Sequence, residues 1–252
     1  MKNGVLDNEE YSFSGIKQFI KDYQNKIKPD IIGSADGDNL EIGNACRGLI
    51  EIKFKIKGKS GHAAVPASGV NAISGSFTLF NNLSKQLDQF NSKTLSKSTI
   101  NIAYILGGQL LSKITIGNQG NIIPDYCEFV IEIRTANLKL TARKVINIIE
   151  NQAEKLNLST LSSDIKHDLG SWITPKIKLV QIAINLKTKN FTQAKNRGYI
   201  DLQMLWEAFN KPICFTYGVG SDCAHCANEF VEIQNLLVGV DSWIRLLKYF
   251  SK

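Results

Sequence analysis

Through residues 49–57 apolar and basic residues alternate, with Ile52, Phe54 and Ile56 standing between Lys53, Lys55 and Lys57. A period of two is that of a strand with one buried and one solvated face. The period then changes. Over residues 69–89, Val70, Ile73, Phe77, Phe80, Leu83 and Leu87 recur at threes and fours, which predicts a helix. Strand pattern returns at 99–106, Gly107-Gly108 reads as a turn, and 110–116 reads as a further strand. A loop over 117–121 closes at Pro124, and 126–135 is a strand. Residues 141–156 are helical with Val145, Ile148 and Ile149 facing inward, and 160–166 return as a strand. The order β-α-β-β-α-β, with a broken central strand, predicts a ferredoxin-like layer of one sheet and two helices.

The flanks read as a second α/β body. A helix over 14–26 carries Ile16, Phe19, Ile20 and Tyr23 on one face, with Ser14 as its N-cap, Lys26 near its end and Pro29 stopping it. Ile31-Ile32 is a short strand, and the turn-rich stretch 33–39 follows. Helices are predicted over 178–187 and 202–209. A buried strand spans 212–217 and ends in Gly218-Val219-Gly220-Ser221. The last helix, 233–250, has Leu236, Leu237, Val240, Trp243, Ile244 and Leu247 as apolar positions. Residues 47–168 therefore form an insert between 1–46 and 169–252.

Composition narrows the function. The chain has 252 residues, 43% of them hydrophobic, and a net charge of +7. The lysines are spread along strands rather than gathered with aromatics, so no nucleic-acid partner is expected. Five scattered cysteines suit a reducing cytoplasm better than a disulfide framework. No stretch approaches the roughly 20 apolar residues of a membrane span, so no membrane partner is expected either.

Candidate chemistry lies in four places. Glu9-Glu10 could divide into a metal ligand and a general base, or be a solvated acidic turn. His225, in Ala224-His225-Cys226-Ala227-Asn228-Glu229, follows a strand and a glycine loop; it suits a zinc ligand or a capping histidine equally. His62, in Gly58-Lys59-Ser60-Gly61-His62-Ala63-Ala64-Val65-Pro66, ends a strand before a loop, a place for a binding residue or for an idle surface one. Asn121, ahead of Ile122-Ile123-Pro124, and Arg134 offer an amide and a guanidinium fork that suit a carboxylate. The chain carries no G-x-S-x-G elbow, Walker motif or dinucleotide fingerprint.

Taken in this order, these motifs resemble the dizinc aminoacylase and carboxypeptidase family, which includes succinyl-diaminopimelate desuccinylase, acetylornithine deacetylase and several di- and carboxypeptidases. The likeness is most specific over Arg47-Gly48, from Lys59 to Ile73, over Asn121 to Asp125, and from Ala224 to Glu229. It implies a partial zinc-peptidase-like catalytic domain, 1–46 with 169–252, and a dimerisation or lid domain, 47–168. Glu9 would be the general base. Glu10 and His225 would share a zinc. His62 would reach into a partner subunit's site and polarise the scissile carbonyl, while Asn121 and Arg134 would grip the substrate carboxylate. Asp201 falls where the family often has a catalytic-domain aspartate.

The resemblance implies that Asp36, in Gly33-Ser34-Ala35-Asp36-Gly37-Asp38, replaces the family's usual glutamate ligand, with Asp38 or loss of the ligand as the alternatives. The family's opening segment, with a His-x-Asp motif and a bridging aspartate, has no counterpart ahead of Glu9. The resemblance thus implies a cytoplasmic homodimer that hydrolyses amide bonds in N-acyl amino acids or small peptides with one or two zinc ions, or cobalt. It also implies incomplete metal sites and no activity in the isolated chain. The alternatives are a non-catalytic dimerising interaction protein and the carboxyl half of a split enzyme. An exposed apolar face and an open sheet edge are expected on the outer body.

Overall fold

The computed structural model describes residues 12–111, 114–116, 120–193, 198–220 and 227–251. In chain order its elements begin with α1 (Ser14–Tyr23), β1 (Ile31–Ser34), β2 (Ile42–Gly43), β3 (Ala45–Cys46), β4 (Gly48–Lys57), β5 (Gly61–His62) and α2 (Ala72–Leu87). Next come β6 (Thr99–Leu111), β7 (Ile114–Ile116), β8 (Ile122–Ile123), β9 (Tyr126–Thr135), α3 (Ala142–Lys155) and β10 (Ser159–Leu169). The chain continues through β11 (Trp172–Ile173), α4 (Val180–Leu186), α5 (Leu202–Ala208), β12 (Ile213–Tyr217) and α6 (Ile233–Phe250). The chain divides into two compact units, Met1–Arg47 with Ser171–Lys252, and Gly48–Gly170.

In the inserted unit the sheet order is β10-β4-β9-β6-β7, every pairing antiparallel. Setting aside the β7 extension, this is the 4-1-3-2 order of a ferredoxin-like fold. The alternation in β4 does what its period requires. Ile50, Ile52, Phe54 and Ile56 are fully buried beneath α2 and α3, against Leu79, Leu83, Val145 and Ile149. Phe54 stacks on Phe129 of the neighbouring strand, their ring centroids 5.4 Å apart. The lysines lie on the other face, where Lys53 pairs with Glu128 at 2.6 Å. Both helices are capped by side chains: Asn71 accepts from the N–H groups of Ile73 and Ser74, and Thr141 from that of Lys144.

Two local expectations are corrected. Gly107-Gly108 is no turn; β6 runs through both and pairs Gly107 with Cys127. A Cβ on Gly107 would lie 2.5 Å from Ile73 of α2, so the glycine lets helix and strand approach. The reversal comes after it, where Leu111 pairs with Ile114. Ser14 is not the N-cap of α1. Phe13 takes that place in a left-handed conformation without a side-chain cap, and it is buried against Tyr199.

In the outer unit β1 and β12 are parallel neighbours, and β2 joins β12 antiparallel. The sheet has a core on each face. Phe215 and Tyr217 of β12 join Ile182, Leu186 and Leu246, while Cys214 joins Cys46, Trp172, Leu202 and Trp206. Trp243 of α6 stacks on Phe215 and donates its indole N–H to the Tyr217 carbonyl at 3.1 Å.

Helix α6 forms where its periodicity puts it, but its most apolar side is outward. Ile233, Leu237 and Leu247 are 76%, 60% and 64% exposed, whereas Gly239, Ser242 and Leu246 are buried. A Cβ on Gly239 would lie 2.7 Å from Val219, so the small residues are what allow close seating. Ile177 and Ile184 are also exposed in the same unit. The outer unit thus presents the expected apolar surface, and β1 forms one edge of its sheet.

Candidate functional site

His62 sits in a turn held from three sides by main chain. Gly61 and His62 pair with Ile123 and Ile122, and the Ala63 N–H donates to the Asn121 carbonyl at 2.9 Å. Lys59 and Val70 exchange two hydrogen bonds, at 2.9 and 2.7 Å. Val65 N–H closes the turn onto the His62 carbonyl at 2.9 Å, and Ser68 Oγ donates to the Val65 carbonyl at 2.7 Å. The approach of these segments depends on missing side chains. A Cβ on Gly61 would lie 2.5 Å from Ser68 Oγ and 2.9 Å from Gly69 N; one on Gly69 would lie 2.6 Å from the Lys59 carbonyl oxygen. The imidazole itself is exposed, and its Nδ1 accepts the Ala64 N–H at 3.1 Å.

Asn121 is therefore a direct neighbour of His62, with its side chain exposed. Arg134 is not. It lies eight residues along β9 from Tyr126, at the end where Gly48 and Leu169 mark the chain's entry and exit. At 3.3 Å per residue this places Arg134 about 26 Å from the His62 end of the sheet. Within one copy, then, Asn121 and Arg134 cannot touch the same carboxylate. The Arg134 guanidinium is forked by Glu132, Nε to Oε1 at 2.7 Å and Nη2 to Oε2 at 3.2 Å. It already holds a carboxylate in two contacts, the geometry that favours arginine over lysine.

Near the His62 end, Tyr126 donates its hydroxyl to Glu128 at 3.0 Å. Burial, then the hydrogen bond and charge of Glu128, push the Tyr126 phenol up to about 12. Burial alone would raise the Glu128 carboxyl, but hydrogen bonds from Lys53 and Tyr126 and the charges of Lys53 and Lys55 leave it below its ordinary value.

In the outer unit Asp36 stands just past the carboxyl end of β1, exposed, its N–H donating to Ser34 Oγ at 3.2 Å. The loop is tied to the loop that follows β12. Asn39 N–H donates to the Gly220 carbonyl at 2.8 Å, Leu40 N–H to that of Gly218 at 2.9 Å, and Gly220 N–H to that of Gly37 at 2.9 Å. Asp38 makes a bridge with Gly220 in the same place. From Gly220 the chain leads directly into the segment that holds His225. The carboxyl ends of adjacent parallel strands are where α/β folds gather ligands. Glu9, Glu10 and His225 lie outside the described residues. Among the described residues no three His, Cys, Asp or Glu side chains converge as a metal site, so a metal at Asp36 requires donors from beyond them. Asp201 precedes α5, where its carbonyl accepts the Met204 N–H at 2.9 Å.

Sequence reasoning picked out His62 and its motif but not the Ala64 N–H or the backbone stack of Gly61 and Gly69. The glycine spacing around the histidine was the available signal.

A family model for the peptidase dimerisation domain of M20 enzymes matches residues 44–160. An uncharacterized metallohydrolase of Methanocaldococcus jannaschii is 26% identical over 97% of this chain and 63% of its own length. An acetylornithine deacetylase of Buchnera aphidicola is 28% identical over 55% of this chain and 35% of its own. Among solved structures, the aminopeptidase PepT of Bacillus cereus superposes with a TM-score of 0.74 at 18% identity, covering 97% of this chain and 62% of that one. The chain spans just under two thirds of the length of the first relatives it matches, 63% and 64%.

Proposed function

We propose that the chain, whose residues 44–160 match the peptidase dimerisation domain of M20 enzymes and which is similar along its length to a metallohydrolase, serves in metal-dependent hydrolysis of amide bonds in N-acyl amino acids or small peptides. One observation carries the reading most. The loop bearing Asp36 and the loop leading to His225 are hydrogen-bonded together at the carboxyl ends of parallel strands β1 and β12.

The proposed ligands are Glu10, Asp36 and His225. Carboxylates and a neutral imidazole are the donor set that zinc takes up, and zinc is the metal we favour. When bound, such a metal acidifies water and polarises a carbonyl. Glu9 is the proposed acceptor of the attacking water's proton. His62 is the proposed donor to the carbonyl oxygen, where charge gathers as the amide is attacked. Asn121 lies beside it and orients the same end of the substrate.

The distance of about 26 Å between this pair and Arg134 supports a division across a homodimer formed through the insert. His62 and Asn121 then act on a second copy's site, and Arg134 holds a substrate carboxylate in place of Glu132.

The test is zinc titration of the purified protein, followed by hydrolysis of a panel of N-acyl amino acids and dipeptides. Asp36→Asn and His225→Ala are expected to weaken zinc binding at least tenfold; hydrolysis by the isolated chain would overturn the expectation that it is inactive alone, and Glu9→Gln should then abolish that hydrolysis while leaving zinc affinity intact. Zinc affinity indifferent to both ligand changes would overturn the assignment.

A further inference from the structure

The neutral imidazole carries one proton and can place it on either nitrogen. At His62 the choice is made by the main chain. Nδ1 accepts the Ala64 N–H at 3.1 Å, and a nitrogen that accepts a hydrogen bond is unprotonated. The single proton therefore sits on Nε2.

The donor to Nδ1 is fixed in its turn. Ala64 lies between Ala63, whose N–H is held by the Asn121 carbonyl, and Val65, whose N–H is held by the His62 carbonyl, both at 2.9 Å. His62 is itself paired with Ile122, and Gly61 with Ile123. The backbone that supplies the N–H and the backbone that carries the ring are thus parts of one hydrogen-bonded turn. Moving the N–H away would break these bonds along with its own.

We propose that the Ala64 main-chain N–H is a positioning group that holds His62 as the Nε2–H tautomer, so that the exposed ring presents a hydrogen-bond donor and not a lone pair. The inference rests on the amide-hydrolase reading only for its use. A carbonyl oxygen that gains negative charge is stabilised by an N–H and repelled by a lone pair, so only this tautomer serves that step. No proton need leave the ring: His62 donates a hydrogen bond and keeps its proton.

Long-range 1H–15N correlation spectra of the uniformly 15N-labelled chain test this directly. The His62 signals are assigned by their loss in His62→Gln. With the ring neutral, Nδ1 is expected at the position of an unprotonated nitrogen and Nε2 at that of a protonated one, with a through-hydrogen-bond 15N–15N coupling between Ala64 N and His62 Nδ1. A dominant Nδ1–H tautomer, or an even mixture without that coupling, overturns the proposal. Ala64→Pro removes the donor and is expected to shift His62 towards the tautomer mixture of a free imidazole; should that variant not fold, the wild-type spectrum alone decides.

Hydrolysis separates this inference from the reading beneath it. His62→Ala is expected to lower kcat by about 10²–10³-fold, the loss typical of one such donor. His62→Gln, whose amide N–H2 can take the place of Nε2–H, is expected to recover more of that loss than the shorter His62→Asn. A fixed Nε2–H tautomer with hydrolysis indifferent to all three variants would leave the tautomer standing and sink the role given to His62.

Discussion

Gly61→Ala tests whether the turn that holds His62 is a backbone stack or a loose loop. The added Cβ would lie 2.5 Å from Ser68 Oγ and 2.9 Å from both Gly69 N and Ser68 C. Ser68 Oγ can rotate away, but only by giving up its bond to the Val65 carbonyl at 2.7 Å. The two backbone atoms cannot move without disturbing the pairing of Lys59 with Val70. Overpacking of this kind costs about 1–3 kcal/mol, and one lost hydrogen bond about 0.5–1.5. The expected loss is about 1.5–4.5 kcal/mol by those two scales together. For a unit of about 120 residues each kcal/mol moves Tm by about 4 °C, so the transition should fall by about 6–18 °C.

Circular dichroism melting reads the change, with Gly120→Ala as the control because, chain neighbours aside, no atom of the described residues lies within 4 Å of a Cβ there. Tryptophan fluorescence separates the units, since Trp172, Trp206 and Trp243 all belong to the outer one. A Gly61→Ala protein that melts with the Gly120→Ala control would refute the cradle, and with it the claim that His62 is rigidly presented.

Three further outcomes follow from the same geometry. Burial pushes the Cys214 thiol up to about 12 from an ordinary 9.0. The unfolded thiol therefore ionises first, and stability is lost as pH rises from 9 to 12. Cys214→Ala should flatten that part of the alkaline unfolding curve, and an unchanged slope would assign it elsewhere. Replacing Leu237 and Ile244 of α6 by lysine removes two exposed apolar side chains, so dye binding to apolar surface and light scattering should fall while the tryptophan transition moves by no more than about 2 °C. Arg134→Ala should raise KM for substrates with a free carboxylate by at least tenfold and leave their amidated analogues nearly unaffected; equal effects on both would remove Arg134 from carboxylate binding.

The local pattern by itself determined most of the elements. Strands β4 and β9 and helices α2, α3 and α6 stand within a few residues of where periods of 2 and 3.6 put them, because those periods are properties of the backbone. The order of motifs from Arg47 to Glu229 carried the resemblance to the aminoacylase and peptidase family, since those residues keep their succession whatever lies between them.

The tertiary structure decided the rest. Gly107-Gly108 has the composition of a turn, yet it is strand because Ile73 of a distant helix needs the room. Helix α6 has its richest apolar stripe outward because Gly239 and Ser242 seat more closely on the loops of its own unit than leucines could. Asn121 and Arg134 look like one carboxylate clamp at thirteen residues' separation, but an extended strand turns most of that separation into distance. His62 was marked by its glycines, while its tautomer depends on one main-chain N–H two residues away. Periodicity records how a segment lies against an average neighbour; which neighbour arrives, and how closely, is fixed only when the segments pack.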